Sequence, residues 1–404
     1  MSHDRCVDIA LPTVKESAPA VVVGLCVHGL ALARALRAGG VRVLALEADR
    51  SLPGTRTRMA EVQWTSDING PGLIDGLINL RQRLAAEPIP VLYPSNDNMV
   101  RVLANDWERL QGLYRLSWSD CRKRVLSLLD KSALEAHCQR YDLPYPKTWM
   151  LPDLNALPAI SADGLEFPLI VKPARPLSGF KVRLIDHAQA LEQLARERPQ
   201  ALPFLLQHWV PGDDRRILFA AFYLDRGCIL ASFGGRKLAS KPPALGQTTV
   251  AESFPQAAMH ALAERFFAPL ELSGPVSLEA KLDADGQPWI IEPTLGRTDY
   301  WLDCCVANGV NLPLIEHQVQ SGLAVEQPTQ TQGLIWFDTE RSPGSYLRLR
   351  VARDKTATDR WRPRFAYWNR SDPVPSVFGL LRLVQRSLQR VIHRLAKLRQ
   401  QNLL

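Results

Sequence analysis

The 404-residue sequence contains no apolar run of about 18 residues, the shortest stretch that is typical of a membrane-spanning helix. Its first residues carry acids and a proline where a secretory signal peptide needs a continuous apolar segment. The seven cysteines form no C-x-x-C pair, a distribution that fits a reducing compartment. We therefore expect a cytoplasmic protein that keeps residues 1–19 as an uncleaved N-terminal arm.

Two nucleotide-binding motifs are incomplete. The turn after the first predicted strand, GLCVHG, has Cys26 where a dinucleotide-binding fingerprint needs its middle glycine. Leu30-Ala31 follow its last glycine, where a Walker loop needs Lys-Ser/Thr. The segment therefore predicts a tight strand-to-helix turn, which can still touch a substrate, and it disfavours an oxidoreductase.

Acidic residues are scarce at the end of the chain. Residues 341–404 hold 15 Lys or Arg and 3 Asp or Glu, and this segment accounts for the whole net charge of +8. Because the basic excess belongs to a tail, it does not indicate a nucleic-acid footprint of the whole protein. No nucleic-acid partner is expected.

The same tail predicts an amphipathic basic helix at about 376–400. Apolar residues from Val384 to Leu398 recur at helical spacing, and arginines at i, i+4 spacing form another stripe. Such a helix suits an anionic membrane surface or a partner helix, and docking on the protein's own body is an equal alternative. For residues 336–372 we expect packing over the rest of the chain first, and cover for an acidic ligand second.

Alternating strand and helix patterns predict an α/β protein. Strands at 20–24 and 41–47, with a helix at 30–38 between them, indicate a βαβ unit and a parallel sheet. One α/β domain is predicted up to about residue 120, followed by a helical connector to about residue 150.

Three further segments carry candidate functional residues. Asn96 or Asp97 is expected to cap a helix that runs to Leu110, and capping is favoured over ligand binding for Asp97. Lys172 ends the apolar strand FPLIVK, where a lysine projects its ammonium into a cleft or extends to solvent. Residues 234–248, rich in Gly, Pro and Lys, predict a long functional or mobile loop.

A hairpin is predicted within Gly274 to Arg297, with Asp285-Gly286 as a two-residue type I′ turn. In this register Glu279 lies opposite Glu292, and like charges in directly opposed positions repel. A divalent cation between them would turn the repulsion into coordination, and the hydroxyl of Thr294 on the same face could add a ligand. The simpler alternative is a surface hairpin whose acids are solvated or are neutralised by Lys281.

In this order, these features resemble the ATP-grasp superfamily, in particular its carboxylate-amine ligases, over roughly residues 20–325. The resemblance implies an α/β (α+β) ATP-grasp fold that begins with a parallel pre-ATP-grasp domain at 20–120. It implies an ATP-grasp domain at 121–325, whose two α+β subdomains clamp ATP. The division is a connector at 121–149, a small subdomain at about 150–210, a large subdomain at about 211–325 and a basic helical extension at 326–404.

The resemblance also implies cationic contacts to phosphate. Lys131 in DKSAL and Lys172 in PLIVKP match the two lysines that bind the ATP phosphates. Lys237 lies in a segment similar to a basic loop that approaches phosphate or the acceptor carboxylate, and Arg297 matches a basic residue near the transferred phosphoryl group. Lys172, Lys237 and Arg297 are therefore the candidate catalytic residues.

The segment QHWVPGDD is similar to the family's adenine-binding segment. The resemblance implies that Gln207, His208, Trp209 and Val210 contact adenine and that Asp214 contacts the ribose hydroxyls. His208 departs from the glutamate that the family has at its position. The glycine-rich loop of the family is also reduced, because ARPLSGFK keeps only one glycine.

The hairpin acids match the family's metal ligands. The resemblance implies ATP with one or two Mg²⁺ ions, for which Mn²⁺ could substitute, held by Glu279, Glu292 and Thr294. Thr294 stands where the family usually has asparagine, which offers a carbonyl oxygen.

The implied activity is an ATP-dependent ligase that joins a small-molecule carboxylate to an amine through an acyl phosphate. An inactive ATP-binding or scaffold protein of the same fold is the main alternative. The reduced glycine loop and Thr294 motivate that alternative, and neither substrate can be identified from the residue pattern.

Overall fold

The computed structural model describes residues 18–174, 180, 182–352, 361–385 and 389, apart from the side chains of residues 131, 132 and 352. The remnant of the glycine loop at 175–179 and 181 and most of the predicted C-terminal helix beyond 385 lie outside the described residues. Among the described helices, none is both long and apolar enough to cross a bilayer.

The first part of the chain forms a parallel α/β unit. Its elements are β1 (Ala20–Val23), α1 (Val27–Ala38), β2 (Val43–Glu47), β3 (Glu61–Trp64), α2 (Gly72–Arg83), β4 (Val91–Pro94) and α3 (Asp97–Asn105). The four strands pair in parallel in the order β3-β2-β1-β4. β1, β2 and β4 are buried throughout and apolar apart from Glu47 at the end of β2, as expected of parallel strands with both faces covered. The predicted βαβ opening is therefore present.

Four helices and a small sheet follow. Their elements are α4 (Arg122–Leu128), α5 (Lys131–Arg140), β5 (Thr148–Leu151), α6 (Leu157–Ala162), β6 (Leu169–Pro173), β7 (Arg183–Ile185), α7 (Ala188–Glu197) and β8 (Phe204–His208). The strands pair antiparallel in the order β5-β8-β6-β7. Their apolar faces form a separate core with α7. Lys172 and Gln207 lie on the neighbouring strands β6 and β8.

The largest sheet has seven strands in the described residues. Its elements are β9 (Ile217–Asp225), β10 (Cys228–Lys241), β11 (Gln247–Ser253), α8 (Ala257–Phe267), β12 (Gly274–Leu282), β13 (Pro288–Leu295), α9 (Leu302–Ala307), α10 (Leu312–Gln320), β14 (Leu334–Phe337), α11 (Ser345–Ala352) and β15 (Arg362–Phe365). The strand order is β13-β12-β9-β10-β11-β14-β15. The end of the chain thus contributes the last two strands on one side of the sheet, of which β15 is the edge strand. Residues 374–385 form a helix after them. This agrees with the expectation that 336–372 packs against the rest of the chain.

The prediction of a long loop at 234–248 is wrong for most of its length. Strand β10 continues to Lys241 and pairs with β11, so only residues 242–246 connect the two strands. Gly235 is needed for packing rather than for a turn, because a Cβ there would stand 2.1 Å from the ring of Phe219. Phe219 is fully buried and stacks on Trp301 at 3.8 Å between ring centroids, so it cannot move aside.

The prediction that Asn96 or Asp97 caps α3 is confirmed for Asn96 and wrong for Asp97. Asn96 is the N-cap, since its side chain accepts a hydrogen bond from the amide of Met99. Asp97 instead begins the helix and pairs with Arg297, and the helix ends at Asn105 rather than Leu110.

Candidate functional site

The acidic hairpin is formed by β12 and β13, and Glu279 lies opposite Glu292 as predicted. The route to that pairing differs from the prediction, because Leu282 pairs with Pro288 and the connection spans residues 283–287. Between β12 and β13 the register shifts by one residue next to Glu279, which leaves Ile291 as an extra residue. Without this bulge Glu292 would share the face of the fully buried Ile290 and would point into the core.

Glu279 forms a buried ion pair with Lys237. The Nζ of Lys237 lies 3.2 Å from Oε2 of Glu279, and both side chains are largely buried. Burial alone lowers the pKa of Lys237, but the charges of Glu279, Glu292 and Asp214 outweigh it and the pKa is raised. Lys237 therefore carries its positive charge at neutral pH and faces the acidic hairpin from β10.

Asp299, which no sequence pattern indicated, is a third carboxylate at the hairpin. Its Oδ2 accepts hydrogen bonds from the hydroxyls of Thr294 (2.9 Å) and Ser277 (3.1 Å), which are paired across the two strands. Gly296, with φ of +71°, turns the chain after β13 so that Asp299 folds back over this face. The hydroxyl of Thr294 thus acts as a donor to Asp299, and its role as a metal ligand stays a prediction.

Arg297 joins the hairpin to the parallel sheet. Its Nε donates to Oδ1 of Asp97 at 2.6 Å, and its Nη1 donates to the carbonyl of Thr298 at 3.0 Å. Burial lowers the pKa of Arg297, but Asp97 and Asp299 outweigh burial and raise it. The guanidinium therefore stays charged and is held at the carboxyl end of β4, where α3 begins.

His28 in the first turn of α1 contacts Thr298, the residue that follows Arg297. Its Nδ1 donates to the carbonyl of Ser95 at 2.9 Å, which assigns the proton to Nδ1, and its Nε2 then accepts from the hydroxyl of Thr298 at 2.8 Å. Burial, together with the charge of Arg297, lowers the pKa of His28 to about 4. His28 is therefore neutral at physiological pH. The sequence offered no signal for this contact, because the partners are 270 residues apart.

Three polar residues of the small sheet form a hydrogen-bonded network. Lys172 donates to Oε1 of Gln207 at 3.2 Å, and Nε2 of Gln207 donates to the hydroxyl of Thr148 at 3.2 Å. The three residues lie on adjacent strands β6, β8 and β5, so the antiparallel pairing alone brings them together.

A cavity of about 130 Å³, the hairpin cavity, lies between the small and the large sheet. Most of the predicted site residues line it, namely Lys172, Gln207, His208, Trp209, Val210, Lys237, Glu279 and Glu292. Arg297 lies beyond this lining, at the parallel sheet. The side chain of Lys131, the first residue of α5, is outside the described part of the chain.

Asp214 is not among the residues that line the hairpin cavity, and its carboxylate is bound by other parts of the protein. Its carboxylate accepts hydrogen bonds from the amide and hydroxyl of Ser240, at 2.9 and 2.6 Å, and from the amide of Ala244 at 3.3 Å. These contacts anchor the short connection from β10 to β11. The contact of Asp214 with a ribose stays a prediction.

Lys281 lines the hairpin cavity as well, next to Trp209. Its Nζ is buried, finds no hydrogen-bond acceptor within the described residues and lies 3.8 Å from the centroid of the Trp209 ring. Burial lowers the pKa of this lysine to about 8. A buried ammonium without an acceptor is costly, so this geometry favours a ligand that supplies one.

The donor set of the hairpin fits a hard divalent cation. The charges of Asp299 and Glu292 both act on Glu279, so three carboxylates repel one another at this face. Carboxylate oxygens are the ligands that Mg²⁺ prefers, and Mg²⁺ commonly takes only one or two of them together with water and phosphate oxygens. Within the described residues, no group of three or more His, Cys, Asp or Glu side chains is arranged to hold a metal ion by itself. A cation at Glu279 and Glu292 would therefore need further oxygen ligands from water or phosphate.

Comparisons with known proteins place this geometry in a wider context. No family model matches the sequence. The chain is 26% identical over 204 residues to D-aspartate ligase from Enterococcus faecium, a match that covers 46% of this chain and 48% of that relative. The chain thus spans about half the length of the curated relative that it matches.

Solved structures match over a larger part of the chain. N5-carboxyaminoimidazole synthetase from Staphylococcus aureus, complexed with ADP, aligns with a TM-score of 0.64 and 11% identity, covering 85% of this chain and 89% of that one. The ADP complex of PurK, an N5-carboxyaminoimidazole ribonucleotide synthetase, aligns with a TM-score of 0.63 and 14% identity, covering 87% and 92%. At these identities the likeness establishes the fold alone.

Proposed function

Starting from the ATP-grasp fold, which this chain has as its sequence predicts, we propose that it is an ATP-dependent ligase that joins a carboxylate to an amine. The observation that carries the proposal is the hairpin cavity. There Lys172 from one sheet and Lys237, Glu279 and Glu292 from the other surround one space. Cations and paired acids around a shared cavity are what binding and transfer of a phosphoryl group require.

We assign the nucleotide to the hairpin cavity. Gln207 to Val210 would contact the adenine, with Lys281 donating to an acceptor on the base or ribose. Lys172 and Lys131 would contact the phosphates. The support for this assignment is that the four residues 207–210, Lys172 and Lys281 line the same space.

Glu279 and Glu292 would hold Mg²⁺ with the phosphates of ATP. The ion supplies positive charge that offsets the charge on the transferred phosphoryl group. Without a bound cation, Lys237 neutralises Glu279. Once Mg²⁺ binds that carboxylate, the ammonium of Lys237 would be able to contact a phosphate oxygen instead.

The reaction proceeds in two steps. A carboxylate oxygen of the acceptor attacks the γ-phosphorus of ATP, which forms an acyl phosphate and releases ADP. The amine then attacks the acyl carbon, so that the C–N bond forms, the C–O bond to phosphate breaks and the amine loses a proton. Lys172 and Lys237 stabilise the phosphoryl oxygens, and Arg297 acts from the end of the hairpin that contacts the parallel sheet.

The first experiment is Glu292→Gln, measured as ADP release with MgATP over a panel of carboxylates and amines. The similarity to D-aspartate ligase makes D-aspartate the first carboxylate to test. We expect a loss of about 100-fold or more, since the variant keeps the size of the side chain but loses a metal ligand. Asp285→Asn, the same change of charge at the exposed tip of the hairpin, is the matched control. Full activity of Glu292→Gln would refute the metal assignment.

A second function is a catalytically inactive ATP-binding protein. The observation that favours it is the engagement of Thr294 with Asp299, which leaves two glutamates rather than a full set of ligands. Calorimetric binding of MgATP without ADP release from any carboxylate and amine pair would support this function over the ligase.

For the helix at 374–385 we propose a peripheral contact with an anionic membrane. Its apolar side chains Val377, Leu380, Leu381 and Val384 are all at least half exposed. The basic composition of 341–404 complements anionic lipid headgroups.

A further inference from the structure

A second cavity of about 460 Å³ lies where the parallel sheet, the large sheet and the C-terminal segment meet. Cys26 at the start of α1 and Lys241 at the end of β10 form two of its walls. Tyr300, five residues beyond β13, forms a third wall, and Glu340, Arg341 and Arg382 from the C-terminal segment form the fourth. Four separate parts of the chain therefore contribute polar groups to one space.

The charge around the second cavity is mainly positive. Of its four charged lining residues, three are cations and only Glu340 is an anion. Glu340 is already engaged, because it accepts the hydroxyl of Tyr367 at 2.6 Å and lies 3.9 Å from Arg382. Lys241 donates to the carbonyl of Arg341 at 2.6 Å, a neutral acceptor that leaves the charge of the ammonium uncompensated.

Arg341 is fixed in place at the wall of this cavity. Its Nε donates to the hydroxyl of Tyr300 at 3.0 Å and lies 3.5 Å from the buried carboxylate of Asp338. Asp338 also accepts the hydroxyl of Tyr300 and the backbone amides of Glu340 and Arg341. Because Asp338 is shared among these donors and Arg341 remains partly exposed, the guanidinium can still bind an anion.

The first turn of α1 adds backbone donors. Cys26 is the N-cap but makes no side-chain capping hydrogen bond, and the first turn contains no acidic residue. Cys26 and Val27 both line the second cavity, so the positive end of this 12-residue helix faces the same space as Lys241 and Arg341. The positive end of a helix attracts anions, and here it lines the same cavity as the cations Lys241 and Arg341.

The second cavity adjoins the acidic hairpin without coinciding with it. The amide of Tyr300 donates to Asp299, the residue that holds Thr294 on the hairpin. Lys241 lies four residues beyond Lys237 on β10, which separates their Cα atoms by about 13 Å at 3.3 Å per residue. A single carboxylate cannot reach both places, whereas a substrate with two separated groups can.

We propose that the second cavity binds a second anionic group, a carboxylate or a phosphate, of the substrate whose other carboxylate is activated at the hairpin. The proposal rests on the ligase function proposed above and extends it by naming the substrate as a dianion. It also gives the C-terminal segment a task, since Arg341 and Arg382 come from that segment. The reacting carboxylate would point toward Glu279, and the second group would lie among Lys241, Arg341 and the amides of α1.

Calorimetry on the full chain, loaded with Mg²⁺ and a non-hydrolysable ATP analogue, tests the proposal. Dicarboxylates of increasing length, from succinate to suberate, probe for a dicarboxylate substrate. Inorganic phosphate probes for a phosphorylated substrate, and acetate serves as the singly charged comparison. We expect saturable binding of one of the dicarboxylates or of phosphate, at least tenfold tighter than that of acetate. The probe that binds more tightly identifies the class of the second group.

Substitutions then locate the site. Lys241→Gln and Arg341→Gln should each weaken binding of the dianion about tenfold, and Arg341→Lys should retain most of it. Arg350→Gln on the exposed side of α11 is the matched control and should change nothing. Lys241→Gln is the safer of the two variants for folding, because its side chain is exposed and touches only a backbone carbonyl.

Two results would overturn the proposal: no preference for any of the dianions over acetate, or binding that Lys241→Gln and Arg341→Gln leave intact. Affinity for the ATP analogue is recorded in every variant and should change less than twofold. If the analogue fails to bind the unsubstituted protein, the ligase function fails. If it binds and the dianions do not, the second-cavity proposal alone fails.

Discussion

Lys281 illustrates how one residue can link folding and ligand binding. Its ammonium is buried between the hairpin and Trp209 without a hydrogen-bond acceptor in the described part of the chain. A cation–π contact of this kind stabilises the fold by about 0.5–2 kcal/mol, while an unsatisfied buried donor destabilises it by about 1–3 kcal/mol. Without a ligand the residue therefore contributes little or nothing to stability, whereas a bound acceptor would give it a favourable role.

Lys281→Met should separate these two effects. Without nucleotide we expect the free energy of unfolding in urea to stay level or rise, because an unsatisfied donor is removed. The dissociation constant for MgATP should increase about tenfold, since a hydrogen bond from a charged donor contributes about 1.5–3 kcal/mol. Lys123→Met, at an exposed position on α4, is the control. A loss of stability greater than about 1 kcal/mol with unchanged affinity would show that Lys281 is purely structural.

The pH dependence of MgATP binding provides an independent check on Lys281. Its pKa is lowered to about 8, so the ammonium is mostly charged at pH 7 and loses its proton as the pH rises through 8. Because the charged form is the better donor, affinity for MgATP should be constant below about pH 7 and weaken between about pH 7.5 and 9. This weakening should be absent from Lys281→Met. Lys237 keeps its charge throughout, since its pKa is raised.

At the scale of elements, the hairpin shows what a sequence pattern can and cannot predict. The opposition of Glu279 and Glu292 was predicted from a two-residue turn at Asp285-Gly286, and the pairing is confirmed although the turn is wrong. A longer connection shifts the register by one residue, and the bulge at Ile291 shifts it back. A bulge of this kind has no compositional signature, so the two differences could not be foreseen and their cancellation was fortuitous.

Two glycines in β10 also led to a wrong prediction. The pair Gly234-Gly235 suggested a loop, but both lie inside the 14-residue strand β10. Gly235 is there because the ring of Phe219, its partner on the neighbouring strand β9, fills the space of a side chain. Elements defined by local periodicity, such as β1 and α1, were predicted to within about three residues of their observed bounds, because no distant residue was needed to define them.

The helix at 374–385 supports a prediction of its own. Replacing Leu380 and Leu381 together by glutamate should abolish flotation of the protein with vesicles that contain phosphatidylserine, because both side chains are exposed and apolar. Leu347→Glu, at another exposed apolar position, on α11, is the control and should leave flotation unchanged. Equal flotation of the double variant, or none with the unsubstituted protein, would exclude the membrane contact.

At the scale of the whole molecule, the C-terminal segment connects the parallel α/β unit to the large sheet, because it contacts α1 and also pairs with β11. Arg34 on α1 donates to the carboxylate of Asp372 at 2.9 Å and to the carbonyls of Ala366 and Tyr367, also at 2.9 Å. Asp372, which is fully buried, also accepts the hydroxyl of Thr57 at 2.7 Å. Nothing in the local sequence could predict a pair separated by 338 positions. The walls of the second cavity depend on this attachment, because the same segment supplies Arg341 and Tyr367.

Asp372→Asn tests how much this attachment contributes. The variant keeps the shape of the side chain but leaves the guanidinium of Arg34 buried without its countercharge, which costs about 3–5 kcal/mol in comparable pairs. We expect a fall of that size in the free energy of unfolding, measured by urea denaturation of the full chain. Asp75→Asn removes the partner of Arg109 in an exposed pair at 2.7 Å and should cost less than about 1 kcal/mol. If both variants lose the same small amount, the C-terminal segment is held by its strands β14 and β15 rather than by Asp372. A large loss confined to Asp372→Asn would instead make this buried pair the principal link between the two sheets and the support of the second cavity.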